Sequence, residues 1–119
     1  MTPEKISEVF HKVEDIINET WPKNLGYAPY KFNEYGEEHN WLIRFSNVNY
    51  LTYSEDEDVF VLDLSATFEE SDDFWGIENY EEKELPKLYR KFKKLVKFVA
   101  ERYNSNIDKL EKELNNESV

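Results

Sequence analysis

The sequence predicts an α+β fold: an N-terminal helix, a small antiparallel sheet of three to four strands and a long C-terminal helix, with both helices on one face of the sheet. Three observations predict it. Apolar residues recur at three-and-four spacing near both ends of the chain, as one stripe on a helix requires. Between them they alternate with polar residues across short connections, the pattern of an antiparallel meander with one covered face. Eight Phe, eight Tyr and three Trp in 119 residues supply the apolar area for one core, and the chain reads as a single domain over 1–119.

Thr2 and Pro3 suit the N-cap and first position of a helix. Ile6, Val9, Phe10, Val13, Ile16 and Ile17 form its stripe, and Pro22 stops it, so the first helix is expected over about 3–20. Pro22, Gly26, Pro29 and Gly36 punctuate the next stretch; Tyr30-Lys31-Phe32-Asn33 alternates weakly, as an edge strand would. Trp41, Ile43 and Phe45 alternate with Leu42, Arg44 and Ser46, predicting a strand over 40–46. A further strand is expected over 48–53, then a polar turn from Ser54 to Asp58. The clearest strand is 59–68, with Phe60, Leu62, Leu64, Ala66 and Phe68 on one face. An acidic loop is expected from 69 to about 82, and a second helix from 82–84. That helix carries Leu85, Leu88, Tyr89, Phe92, Leu95, Val96, Val99 and Tyr103 as its stripe. Asn104-Ser105-Asn106 is a candidate break. Ile107, Leu110 and Leu114 continue the apolar line, either as a third short helix folding back or as the tail of one long helix that pairs with another chain.

Charge is strongly polarised along the chain. Residues 55–82 hold twelve carboxylates and no Lys or Arg, whereas the whole chain carries −11. Residues 83–102 hold eight bases against two acids. Such polarisation bears on partners and solubility rather than on fold. The net charge disfavours direct binding to nucleic acid or an anionic membrane. Without cysteine there is neither a disulfide framework nor a thiolate metal site, as suits a reducing cytosol. No apolar run approaches the ~20 residues of a membrane span. The first five residues, Met1-Thr2-Pro3-Glu4-Lys5, lack the basic and apolar regions of a signal peptide, so a cytoplasmic location is expected.

No catalytic motif is present, and the expectation is a non-enzyme with no cofactor and no metal. His11 lies beside the first helix's stripe and His39 follows Glu37-Glu38; neither sits in a constellation with a nucleophile. Glu55-Asp56-Glu57-Asp58 resembles a cation loop only superficially, since the sixth position from Asp56 is Val61 where an EF-hand needs Gly. Asp63 and Glu69 are carboxylates from a strand and the following loop, but their spacing specifies no metal chemistry. Lys87, Arg90, Lys91, Lys94 and Lys97 share the helix face opposite the apolar stripe, with Lys93 flanking. They suit solvation or internal pairing with the acidic loop better than nucleic-acid binding.

The acidic segment is the candidate partner-binding site. Eleven of its twelve carboxylates, all but Asp63, form the candidate site: Glu55, Asp56, Glu57, Asp58, Glu69, Glu70, Asp72, Asp73, Glu78, Glu81 and Glu82, with Phe74, Trp75 and Tyr80 as aromatic anchors among them. The bland reading is that Phe74, Trp75 and Ile77 plug the end of the sheet while the acids face water. The expected function is a non-enzymatic inhibitor, of the immunity-protein or phage-antagonist kind. It would dock on a basic, nucleic-acid-handling protein and occlude it with carboxylates in place of phosphates. The alternative is an acidic chaperone or adaptor, homodimeric through the C-terminal helix. A small metal-dependent hydrolase using Asp63, Glu69 or His39 is the third.

Overall fold

Thr2 and Pro3 open the first helix as predicted. The Lys5 backbone N–H donates to Thr2 Oγ1 at 3.2 Å, and Pro3 takes the first turn, where its missing N–H costs nothing. Helix α1 spans Pro3–Thr20, and the Trp21 N–H closes it on the Ile17 carbonyl at 2.9 Å. Its stripe residues Ile6, Val9, Phe10, Val13 and Ile17 are all buried, while Ile16 lies at the boundary. The computed structural model describes residues 1–33, 41–45, 49–65, 74 and 76–117, with the backbone course alone at 49, 103 and 105–117.

Five strands follow: β1 (Tyr30–Asn33), β2 (Leu42–Phe45), β3 (Asn49–Ser54), β4 (Val59–Asp63) and β5 (Ile77–Tyr80). They lie side by side in chain order, each antiparallel to the next. The expected count of three to four is thus corrected to five, because β5 falls within the segment read as an acidic loop. Four residues with a carboxylate among them carry little periodicity, and pairing with β4 decides their conformation. The register sets Phe32, Ile43, Leu51, Leu62 and Glu78 in one cross-strand row of the inner face. The row of Lys31, Arg44, Tyr50, Asp63 and Ile77 lies on the outer face. The strand expected over 59–68 is described over Val59–Asp63. There the Asp63 carboxylate accepts from the Ser65 N–H at 2.9 Å and from Ser65 Oγ at 2.6 Å, a side-chain turn that competes with the ladder. Ala66 and Phe68 lie outside the described residues.

A 3-10 turn over Glu82–Glu84 leads into helix α2, Leu85–Glu117. This helix is continuous, so of the two courses open after Asn104-Ser105-Asn106 the chain takes the single long helix and not a third helix folding back. Asn and Ser cost at most about 0.7 kcal/mol each relative to Ala within a helix, too little to break one already propagated through five turns. The stripe from Leu85 to Val99 packs with α1 on the inner sheet face. At the centre, the Phe10 ring lies 5.7 Å from Trp41, 5.8 Å from Phe60 and 6.0 Å from Phe32. One apolar cluster thereby joins both helices to β1, β2 and β4. No helix among the described residues is long and apolar enough to cross a membrane.

Candidate partner-binding surface

Ser54 pairs with Val59, so Glu55, Asp56, Glu57 and Asp58 form the whole of the β3–β4 turn, and all four are exposed. Asp58 closes the turn at φ 53°, a left-handed conformation that Asp tolerates better than most residues. Its Oδ1 lies 2.7 Å from the Met1 α-ammonium and accepts from the Tyr53 hydroxyl. These two donors, the ammonium first, hold the Asp58 carboxyl below the usual range. Burial and the same carboxylate push the Tyr53 phenol up to about 12.

Topology brings a second acidic run to this turn. Phe60 pairs with Tyr80, so β5 ends where β4 begins, and the chain leaves β5 beside the β3–β4 turn. Glu57, Asp58, Glu81, Glu82 and Lys83 consequently line one open groove. Glu81 is held in place by a reciprocal cap: its carboxylate accepts from the Glu84 N–H, and its own N–H donates to Glu84 Oε1 at 3.3 Å. Lys83 Nζ lies 3.3 Å from Glu81 and offsets part of the charge. Two carboxylate runs more than twenty residues apart therefore share one end of the sheet.

The remaining predicted site residues divide differently. Glu69, Glu70, Asp72, Asp73 and Trp75 lie outside the described residues, as does His39. Asp63 pairs with Ile77 at the far end of β4, so the chain between these strands departs from the end opposite the β3–β4 turn. Phe74 and Tyr80, expected as anchors for a partner, are only 6% and 8% exposed and belong to the core. Their sequence signal, aromatics among carboxylates, reflects a buried edge rather than an open hot spot. The bland reading, in which Phe74, Trp75 and Ile77 plug the end of the sheet, thus holds for Phe74 but not for Ile77, which is 64% exposed on the outer face.

Glu78 also turns inward. It accepts from the Tyr80 hydroxyl and pairs with Lys91 Nζ at 3.2 Å, while that ammonium sits 5.0 Å from the Phe74 ring centroid. Burial, then the Glu78 carboxylate, pushes the Tyr80 phenol well above its ordinary value. Among the described residues, Lys91 is the cation through which the basic helix face pairs internally with the acidic segment. Lys87, Arg90, Lys93, Lys94 and Lys97 are exposed and make no ion pair with the described residues. Replacing Lys91 by Ala leaves the half-buried Glu78 without its ammonium. We expect a loss of about 1–2 kcal/mol, read as a lower urea midpoint at unchanged slope.

On the outer face, Asp63 accepts from Ser65 and from the Tyr50 hydroxyl at 2.6 Å, which holds its carboxyl below the usual range. This lowered value makes stability pH-dependent. The bonds contribute fully above the unfolded aspartate value of about 3.9, and the contribution disappears as pH falls through the lower folded value. Asp63→Asn is therefore expected to reduce stability at pH 7, with the gap to wild type closing below about pH 4, as urea titrations at several pH values would measure.

His11 is exposed, with Nδ1 3.7 Å from Glu14 and its ring 5.1 Å from Phe32. Among the described residues no group of three or more His, Asp or Glu is arranged to hold a metal ion. The chemistry that the arrangement offers is a fixed array of surface carboxylates. A five-stranded meander under two helices, with an acidic pole, is the class of protein these features define. Comparison with protein-family models, curated proteins and solved structures returns no match.

Proposed function

We propose that this chain is a non-enzymatic acidic binding module. It acts in the cytoplasm as an inhibitor of the immunity-protein or phage-antagonist kind and occludes a basic nucleic-acid-handling protein by charge mimicry. One observation supports the reading: Glu57 and Asp58 of the β3–β4 turn and Glu81 and Glu82 after β5, remote in sequence, line one groove at one end of the sheet, with Glu55 and Asp56 on the same turn. Asp58 and Tyr53 preset the course of the turn, and the cap presets Glu81, so the backbone that presents these carboxylates is already ordered before docking. Carboxylates presented on a fixed turn can occupy positions that phosphates take in a basic cleft, and their field speeds encounter with that cleft. With Tyr80 in the core, the surface residues of this pole are mainly charged, so binding should be steeply sensitive to salt.

Capture from lysate at low salt tests this reading. The bait is the chain itself, compared with a variant carrying Glu55→Gln, Asp56→Asn, Glu57→Gln, Glu81→Gln and Glu82→Gln. Asp58 is spared because it shapes the turn. Recovery of a basic nucleic-acid enzyme, released by salt and lost with the variant, supports the inhibitor. Recovery that the variant leaves intact contradicts it. A second reading, a homodimeric chaperone or adaptor, is favoured by the uninterrupted length of α2.

A further inference from the structure

Both helices cover the inner face of the sheet, and the outer face carries two full cross-strand rows. The first is Lys31, Arg44, Tyr50, Asp63 and Ile77, and the second is Asn33, Leu42, Thr52, Val61 and Asn79. None of the ten is fully buried, and Leu42, Val61 and Ile77 lie outside the apolar cluster that joins the helices to the sheet. Tyr50 and Ile77 are exposed. An antiparallel sheet can keep one face in water, but apolar positions at its middle also suit a second sheet stacked about 10 Å away.

The two rows are self-complementary about β3. From β1 to β5 the second row reads amide, aliphatic, threonine, aliphatic, amide, which is the same in either direction. In the first row the positions on either side of Tyr50 carry opposite charge, Arg44 on β2 and Asp63 on β4. The Asp63 carboxylate is held in place on this face, since it accepts from the Tyr50 hydroxyl at 2.6 Å and from Ser65 Oγ at 2.6 Å.

We propose that the outer face pairs with the outer face of a second copy about a two-fold axis parallel to β3. That axis lays β1 over β5 and β2 over β4 of the second copy and keeps each row level with itself. Arg44 then faces Asp63 of the second copy, and Asp63 faces its Arg44, so two ion pairs flank the axis. Leu42 meets Val61, Asn33 meets Asn79, and Tyr50 and Thr52 meet their own counterparts. Lys31 lies over Ile77 with its aliphatic stem, while its ammonium reaches water at the rim. The other face-to-face two-fold runs across the strands and sets each strand over itself. Centred on the first row, it brings like charges together. Centred between the rows, it buries Arg44 on Leu42 and Asp63 on Val61, which is costly.

Five short strands offer a patch of about 20 by 20 Å, so the pair buries on the order of 1,000 Å² in total, and association is weak. The axis also carries the β3–β4 turns of both copies to one end, where their carboxylates repel. These exposed charges are screened by salt far more than the pairs between the faces. Association should therefore tighten as salt rises. The acidic groove lies at the end of the sheet and not on the paired face, so the inference stands apart from the acidic binding function.

Sedimentation equilibrium from about 5 to 500 µM tests the interface, at about 0.5 M salt where screening is strong. Wild type should pass from monomer to dimer across that range. Ile77→Lys sets a lysine against Lys31 of the second copy and should weaken association at least about tenfold. Ile77→Glu, at the same exposed position, meets Lys31 with opposite charge and should stay within about threefold of wild type. Arg44→Glu faces Asp63 and should weaken association at least about tenfold. Circular dichroism confirms that each variant remains folded. At low salt the variant carrying Glu55→Gln, Asp56→Asn, Glu57→Gln, Glu81→Gln and Glu82→Gln should associate more tightly than wild type. A monomer throughout the range, equal weakening by Ile77→Lys and Ile77→Glu, a dimer indifferent to Arg44→Glu, or no tightening in the five-carboxylate variant would overturn the proposal. Capture of a basic partner is read at low salt on the unpaired chain and does not depend on these results.

Discussion

Phe10→Ala is expected to destabilise the fold by about 3–5 kcal/mol, the largest effect of any single substitution considered, because it removes a fully buried ring and leaves a cavity. The position is the junction of the structure. Phe10 contacts β1 through Phe32, β4 through Phe60 and the start of β2 through Trp41, so its ring couples α1 to most of the sheet. A loss of this size is a large fraction of the 5–15 kcal/mol typical of whole domains. Urea unfolding should show the midpoint falling with little change in slope. Loss of cooperativity instead would mean that α1 detaches as a separate unit. Phe10→Leu, which keeps most of the volume, should retain much of the stability, separating cavity formation from a specific need for an aromatic ring.

The five-carboxylate variant is expected to show the second large effect, on association rather than on stability. Exposed charges at one pole contribute little to folding, so unfolding should shift by no more than about 1 kcal/mol, and relief of like-charge repulsion gives the shift a stabilising sign. Binding to a basic partner should weaken by at least about tenfold, mostly through a slower on-rate, and its salt dependence should flatten. Gln at 81 can still accept from the Glu84 N–H, so the start of α2 is preserved. Asp58 and Glu78 are left alone because they are structural: one closes the turn, the other pairs with Lys91. Loss of binding in the variant therefore reports the surface charge and not a local unfolding of the pole.

The helices were legible because each carries a long periodic stripe. The Thr2-Pro3 start and the Pro22 stop bound α1 as observed. Trp41, Ile43 and Phe45, and likewise Phe60, Leu62 and Leu64, announced their strands by alternation, and all six are buried. What local pattern missed was decided by pairing at a distance. Ile77–Tyr80 has too few residues to show a period, and it becomes β5 because β4 offers it an edge. The same pairing makes the acidic pole. Reading along the chain groups 55–82 as one block, whereas the sheet takes 55–58 and 81–82 to one end and starts β5 at the other. Tyr80 carries the clearest lesson. Its hydrophilic neighbours suggest exposure, but its alignment with Phe60 points it inward, and Glu78 follows it to meet Lys91. The continuity of α2 through Asn104-Ser105-Asn106 stays open in the sequence, since residues of modest helix propensity interrupt a pattern without interrupting the helix.

Charge mimicry requires the acidic pole to occupy the nucleic-acid site of the proposed partner. The most direct measurement is competition between this chain and a fluorescent oligonucleotide for the purified captured protein, followed by anisotropy at several salt concentrations. Charge mimicry predicts mutually exclusive binding, displacement by wild type but not by the five-carboxylate variant, and an apparent Kd that rises steeply with salt. An oligonucleotide that stays bound while the chain binds alongside it would contradict charge mimicry.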